Sequence, residues 1–197
     1  MSGLRRILAD YNEKGVYVYQ AFTPAIVRVA VEKDTFGQGF GLDRMTWIKP
    51  SFGWMLHRSG YASKHNQEAI ARIHLSHEGF QEILGQAVLT SYNPAFTKPY
   101  ANEIAWKDAL RRSEVRCQWD PDRTLRDGRL ERRAIQLGLS GSLVRRYVNE
   151  WILGVEDVTP LAHAVALAKQ QREDMPTVPE EREYPISPEL QIRLGYD

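Results

Sequence analysis

Apolar positions along the chain switch between a period of two and a period near 3.6, and the switches mark its elements. Val16-Tyr17-Val18-Tyr19-Gln20-Ala21-Phe22 is aromatic and β-branched, opens after Gly15, and predicts a strand. Thr23-Pro24 follows with an N-cap residue and a proline at the first helical position, and Ile26, Val27, Ala30 and Val31 supply a helical stripe. The chain thus opens with a strand feeding a helix through a tight turn. Met45–Lys49 predicts a second short strand, halted by Pro50, with Ser51 capping a brief helix that carries Phe52, Trp54, Met55 and Leu56. Ala69–Leu75 alternates for part of its length, and Ser76 caps a helix to about Ala87.

Further on, Asn102 caps a helix over roughly Glu103–Arg112, with Ile104, Ala105, Trp106 and Leu110 available to its packed side. Val115–Trp119 predicts a strand that ends in the turn signal Asp120-Pro121-Asp122, and Leu130–Leu139 a strand that ends at Ser140-Gly141-Ser142. An amphipathic helix carrying Leu143, Val144, Tyr147, Val148, Trp151 and Ile152 comes next, and Thr159-Pro160 opens a last helix to about Arg172. Roughly five or six short strands mixed with as many helices predict an α+β fold over residues 1–172, a single compact domain of short mixed or antiparallel strands with flanking helices. The spacing is too irregular for a doubly wound parallel sheet. Residues 173–197 read as an acidic, proline-rich C-terminal tail, since each proline removes a donor and keeps its predecessor out of helix. Its last stretch, Ser187–Tyr196, carries Ile192 and Leu194 with which it could dock onto the body.

Composition narrows the class. At 197 residues, with 43% hydrophobic and 26% charged side chains, the chain can bury a real core, which excludes collagen-like, low-complexity and disordered readings. No apolar run approaches the ~20 residues that span a bilayer, and the N-terminus reaches Asp10 before a leader-like apolar stretch forms. The expectation is a cytoplasmic protein without a membrane partner. The single cysteine, Cys117, excludes an internal disulfide framework and multi-cysteine metal sites, and with no sequence partner to activate it, it reads as a small core residue.

The net charge of +1 sums two unlike regions. Up to Arg172 the chain carries 24 basic and 18 acidic side chains, while the last 25 residues carry 2 and 7. Arginine outnumbers lysine 19 to 7, and ten arginines fall between Arg111 and Arg146. A guanidinium fork suits phosphate and carboxylate oxygens, so the arginines point to an anionic partner or, equally, to solvated salt-bridged faces. An acidic tail lying across a basic face would be a self-masking arrangement.

Several familiar signatures are missing: a P-loop, a Gly-x-Gly-x-x-Gly after a strand, a Gly-x-Ser-x-Gly elbow and a His-Glu-x-x-His metal motif. Phe36-Gly37-Gln38-Gly39-Phe40-Gly41 is a flexible loop that could close over a ligand. His74 and His77, with His57 or Glu78, have metal-like spacing but sit at a strand end and a helix start, so no metal is expected. The densest chemistry lies between Arg44 and Tyr61. Trp47 and Lys49 share one face of a strand, and the Ser51-capped helix places Trp54 and Arg58 together, so ammonium, helix amides and indoles could form a phosphate pocket. The competing reading makes the aromatics core and lets Lys49 snorkel to water. Asp120, at a strand end, could orient an arginine or a substrate hydroxyl, or merely cap an Asp-Pro turn. Gln136 is polar within an apolar strand and must find hydrogen-bond partners if buried, whether ligand or protein.

Val18-Tyr19-Gln20-Ala21, Arg44-Met45-Thr46-Trp47-Ile48-Lys49-Pro50-Ser51-Phe52, Gln118-Trp119-Asp120-Pro121, Ile135-Gln136-Leu137-Gly138-Leu139-Ser140-Gly141 and Trp151-Ile152-Leu153-Gly154-Val155-Glu156-Asp157-Val158-Thr159-Pro160 together resemble a family of bacterial and fungal proteins known as domain of unknown function 4291. That resemblance covers about residues 5 to 170 and implies no established activity. The order of strands and helices also resembles, at the level of fold, ADP-ribosyltransferases and RNA 2′-phosphotransferases. This second resemblance implies a split sheet with NAD in a cleft, Tyr19 and Gln20 at the first strand's contact, Trp47, Lys49 and Ser51 at the second's, and Gln136 on a late strand. The glutamate many of those enzymes use has Glu131 as its nearest counterpart, whereas the phosphotransferase branch relies on basic residues.

The expectation is therefore a transferase directed at a nucleotide or nucleic acid, with NAD as the expected cofactor. Lys49, Gln136 and Glu131 are its candidate catalytic residues; Tyr19, Gln20, Trp47, Ser51, Trp54 and Arg58 its nucleotide contacts; Arg44, Arg133 and Asp120 its substrate or phosphate contacts. The alternative is a non-enzymatic adaptor that binds nucleic acid or protein through the arginine-rich stretch, and the oligomeric state stays open.

Overall fold

The computed structural model describes residues 4–197. In chain order its strands are β1 (Leu8–Ala9), β2 (Gly15–Phe22), β3 (Thr46–Ile48), β4 (Ala69–Ser76), β5 (Ala87–Leu89), β6 (Val115–Arg123), β7 (Arg129–Leu139), β8 (Ile152–Asp157) and β9 (Arg182–Glu183). The helices are α1 (Pro24–Lys33), α2 (Phe52–Ser59), α3 (His77–Gln86), α4 (Glu103–Arg112), α5 (Ser142–Arg146), α6 (Thr159–Gln171) and α7 (Pro188–Leu194). One sheet has the order β2-β4-β8 and is antiparallel throughout; a second has the order β3-β7-β6-β5, antiparallel except for the β5–β6 pair; β1 and β9 make a small third ladder. Helices and mixed short sheets in one body make the fold α+β, as the periodicity predicts.

The capping residues do what their chemistry dictates. Ser51 Oγ accepts the Trp54 amide at 3.2 Å, Ser76 Oγ the Gly79 amide at 3.1 Å and Asn102 Oδ1 the Ala105 amide at 3.0 Å. Each cap satisfies an amide the helix leaves free and contributes about 1 kcal/mol. Thr23 precedes Pro24 in an extended conformation without a side-chain cap, because proline at the first position already removes one orphan donor.

Two segments depart from the reading of the sequence. Asp120-Pro121-Asp122 is not a turn: β6 runs through it to Arg123, with an irregularity in its ladder between Pro121 and Arg123, and the reversal comes at Thr124–Gly128, where Asp127 adopts φ 70°. Proline is tolerated because β5 pairs only as far as Cys117, so beyond it β6 is an edge strand with no second neighbour to supply. Ile152 does not extend the preceding helix. After α5 a π-helical turn covers Tyr147–Trp151, and Ile152 opens β8, which pairs with β4. No turn residue separates the apolar stripe of the helix from the apolar run of the strand, so their boundary carries no sequence signal. The C-terminal stretch is built into the body: β9 pairs with β1, Tyr184 packs edge-on against Phe80, and Leu194 is fully buried.

Two apolar clusters form the interior. The larger gathers Val16, Val18, Ile73 and Leu75 from the first sheet with Val115, Cys117, Ile135, Leu137 and Leu139 from the second. The smaller packs Tyr19, Phe52, Met55, Leu56 and Ile70 against Ala162 and Val165 of α6. Between them the two sheets meet at one bridge, where the Tyr19 amide donates to Lys49 O at 2.7 Å and the Lys49 amide to Tyr19 O at 3.2 Å. This joint sets the cleft described next.

Candidate functional site

A cleft of about 700 Å³ opens beside the joint. Its floor is one face of the second sheet. Alternation along β6 and β7 turns Val115, Cys117, Leu137 and Leu139 inward, and leaves Gln118, Asp120 and Gln136 on the opposite face. On the edge strand Trp47 pairs with Gly138, so Trp47 and, two residues on, Lys49 join the same face. A Cβ at Gly138 would meet the Trp47 ring at 2.9 Å; glycine is what lets the indole lie flat on the strand. One wall is α2, with Trp54, Met55 and Arg58; the other is the end of β2, with Gln20, Ala21 and Phe22, and Arg44 and Gln67 complete the rim.

Eight of the residues singled out from the sequence therefore line one cleft: Gln20, Arg44, Trp47, Lys49, Trp54, Arg58, Asp120 and Gln136. Gln136 and Asp120 are each other's partners. Gln136 Nε2 donates to Asp120 Oδ2 at 2.6 Å, and Gln118 Nε2 donates to Asp120 Oδ1 at 3.0 Å, so two amides hold the carboxylate across the floor. Gln20 is engaged in structure: its Nε2 donates to Thr46 Oγ1 at 2.6 Å and Trp47 O at 3.2 Å, and its Oε1 accepts from the buried Tyr147 hydroxyl at 2.8 Å.

Four sequence candidates stand elsewhere. Tyr19 is fully buried beneath the cleft against Phe52; burial pushes its phenol up, and its hydroxyl has no hydrogen-bond partner among the described residues. Ser51 is buried at the start of α2, where it donates to Asp122 Oδ1 at 2.8 Å while capping the helix. Glu131 is exposed on the outer part of β7 and does not reach the cleft. Arg133 lies beside the N-terminal segment, its amide donating to Leu4 O at 2.8 Å. The carboxylate that lines the cleft is Asp120, and the strand alternation that a presumed turn at Asp120 obscured is the reason.

The electrostatics are unusual at Lys49. Its side chain is 6% exposed, and its Nζ donates to Trp47 O at 3.2 Å. No carboxylate lies within ion-pair distance of it among the described residues. Burial, reinforced by the positive Arg58 and opposed by Asp120, brings its pKa down to about 7. Trp54 is 8% exposed, and its indole N–H has no partner among the described residues. Its ring stacks on His57, whose Nδ1 lies 2.6 Å from Asp127 Oδ1. Arg44 and Arg58 are exposed and unpaired among the described residues. The cleft thus offers two free guanidinium groups, two indoles, a near-neutral amine and an amide-held carboxylate.

A smaller cavity of about 360 Å³ adjoins it, sharing Phe22, Arg44, Met45 and Thr46. Ile26 and the glycine loop close it: Phe40 stacks on the buried Phe36, and Gly39 takes φ +91°, a value that only glycine adopts freely. The histidines with metal-like spacing are both engaged by protein groups and meet at Asn12: His74 stacks on Tyr17 with its Nε2 3.3 Å from Asn12 Oδ1, and His77 has Nδ1 2.8 Å from the Tyr184 hydroxyl and Nε2 2.8 Å from Asn12 O. Cys117 is fully buried, and burial pushes its thiol up.

Sequence reasoning missed Gln118 and Glu181. Gln118 was findable, two residues from Asp120 on the same strand face. Glu181 carries no local signal: it reaches α2 from the C-terminal stretch, accepting the Phe52 amide at 2.6 Å, and burial pushes its pKa up to about 8. None of residues 173–197 lines the cleft, so the acidic segment does not lie across Arg44 and Arg58.

No curated protein matches the chain. A family model does, over residues 6–184, and it takes in every residue of the cleft: the chain belongs to the family described as Domain of unknown function (DUF4291).

Proposed function

We propose that the cleft binds a nucleotide and that the protein is a transferase directed at a nucleotide or nucleic acid, with NAD the expected nucleotide. The observation that carries this reading is the convergence of Arg44 and Arg58 on the same cleft as Trp47, Trp54 and the Gln118–Asp120–Gln136 chain. Unpaired guanidinium groups suit a pyrophosphate, indole faces suit a base or nicotinamide ring, and a fixed carboxylate suits a ribose hydroxyl. The volume falls within the roughly 300–1,000 Å³ usual for small-molecule sites.

The residues present fit NAD by this count, though with a different carboxylate from the one the fold-level resemblance implies: Asp120 would take the role expected of Glu131. Bound NAD would supply an activated glycosidic carbon. Asp120, held by two amides, would orient the ribose beside it, Arg44 and Arg58 would hold the phosphates, and Lys49 could take a proton at Nζ near neutral pH. The adjoining apolar cavity extends the reach of the site toward an aromatic group.

Calorimetric titration with NAD, ATP and a short RNA tests the reading. Saturable heat with NAD, lost in Arg58→Ala and in Asp120→Asn, is the expected result; heats equal to buffer dilution for all three ligands would sink it. The adaptor reading draws less support, because Arg111, Arg123, Arg132, Arg145 and Arg146 each face a carboxylate rather than a common open surface.

A further inference from the structure

We propose that Lys49 is a covalent nucleophile whose ε-amine forms an imine with the C1 carbonyl of a ring-opened sugar phosphate, such as ribose 5-phosphate or ADP-ribose, held in the cleft by Arg44 and Arg58. This deepens the nucleotide reading and rests on it for the phosphate contacts.

The argument begins with the position of the amine. Six other lysines are exposed or half-exposed, whereas Lys49 is buried at the cleft floor. A charged ammonium there would need a carboxylate partner, and none of the described residues supplies one within ion-pair distance. A single bond, to the carbonyl of its own strand at Trp47, engages the Nζ. The backbone is fixed on both sides by the Tyr19 bridge and followed by Pro50, so the amine has a set address rather than the sweep of a surface lysine. Burial and Arg58 keep a large share of it unprotonated near neutral pH, with its lone pair available.

Chemistry then selects the substrate. A buried neutral amine adds to carbonyl carbon, and the surrounding arginines select a carbonyl compound that carries phosphate. A ribose phosphate with a free anomeric carbon is such a compound, because its ring-opened form is an aldehyde. The Lys49 lone pair attacks C1 and a C–N bond forms. The carbonyl π pair moves onto oxygen, which takes up the proton released from nitrogen. The resulting hydroxyl leaves as water after gaining a proton from solvent, and the nitrogen lone pair closes the C=N bond. The imine weighs the sum of its parts less one water and forms without oxidant or reductant; borohydride, added in the test, delivers a hydride to its carbon and solvent a proton to its nitrogen, so the trapped adduct is two hydrogens heavier.

The test is borohydride trapping on the full-length protein at pH 7, with ribose 5-phosphate or ADP-ribose, read by intact mass and peptide mapping. One adduct at Lys49 is expected, formed on the order of a hundredfold faster than at any other lysine, since an ordinary lysine is almost wholly protonated at this pH. Arg58→Ala should slow plain ribose somewhat, through a more protonated amine, and phosphorylated sugars about tenfold more than that, through the lost phosphate contact. Adducts scattered over the surface lysines with Lys49 unmodified would overturn the proposal. Lys49→Met should abolish the site-specific adduct, and if that variant does not fold, the map of the native protein still decides. Nucleotide binding by calorimetry without labelling at Lys49 defeats the imine and spares the nucleotide reading. Labelling at Lys49 that saturating NAD or ADP leaves untouched, with no calorimetric binding, supports the imine and defeats the nucleotide reading.

Discussion

The Glu181 carboxylate accepts the backbone N–H of Phe52 at 2.6 Å, so a residue from the acidic C-terminal stretch sits on the first turn of the helix that carries Trp54 and Arg58. A carboxylate at a helix N-terminus is favoured by the aligned peptide dipoles, but burial opposes its charge, and the nearby Asp122 adds to that opposition. The net effect raises Glu181 to about 8. The contact ties the end of the chain to the wall of the cleft.

A pH dependence follows. Between the ordinary 4.5 and about 8 the folded protein holds a proton on Glu181 that the unfolded chain has lost, so stability falls as pH rises through that window. Thermal melts from pH 5 to pH 8 should show this slope in the native protein, and Glu181→Gln should flatten it. Equal slopes in both would refute the assignment. Deleting residues 173–197 removes this contact together with buried Tyr184 and Leu194, and should weaken rather than strengthen anion binding measured by calorimetry.

Lys49 tilts the profile the other way at higher pH. From about 7 up to its ordinary 10.5 the unfolded chain holds a proton that the native amine has given up, so this contribution to stability grows as pH rises. Lys49→Met should remove that growth and be at least as stable as the native protein below pH 7, because it spares the fold a buried charge. Denaturant midpoints at pH 6 and pH 9 measure both effects; a variant less stable at pH 6 contradicts them.

Trp54 separates binding from stability. Its buried indole N–H has no partner among the described residues, a state that costs about 1–3 kcal/mol. Trp54→Phe removes the donor and keeps a ring beside His57, so the denaturant midpoint should hold or rise slightly. If a ligand acceptor completes the N–H, NAD affinity should fall about tenfold, or 1.4 kcal/mol. Unchanged affinity would take the indole N–H out of the site.

Two glycines make a contrasting pair. At Gly138 a Cβ would press on the Trp47 ring at 2.9 Å and the Met45 sulfur at 3.0 Å, both on the cleft. Gly138→Ala should lift the indole, cost about 1–3 kcal/mol and impair ligand binding. At Gly79 a Cβ would lie 2.3 Å from the ring of buried Trp151, remote from the cleft lining. Gly79→Ala should cost more stability while leaving the affinity of whatever remains folded intact. Calorimetry beside denaturant melts of both variants checks the distinction.

Local chemistry alone determined much of this protein. Ser51, Ser76 and Asn102 announce helix starts because a hydroxyl or amide oxygen satisfies amides the helix leaves free. Pro24 and the β-branched run before it mark a strand-to-helix turn, and period-two alternation puts Trp47 and Lys49 on one face before any fold is known. An apolar strand around Gln136 calls for a hydrogen-bond partner, and that much is legible from its neighbours. Its partner is not: Asp120 lies on another strand, and only the β6–β7 register brings the two side chains together. Register likewise makes Asp120-Pro121-Asp122 strand rather than turn, because a proline is harmless where β5 has ended. The start of β8 depends on a vacant edge of β4, and the place of Glu181 depends on the C-terminal stretch folding back along β1. Periodicity and capping are decided within a turn or two of chain, whereas strand partners and buried charges are decided by residues far apart in sequence. Tertiary structure alone could therefore join Arg44, Lys49, Arg58, Asp120 and Gln136 in one cleft and leave Glu131 and Arg133 outside it.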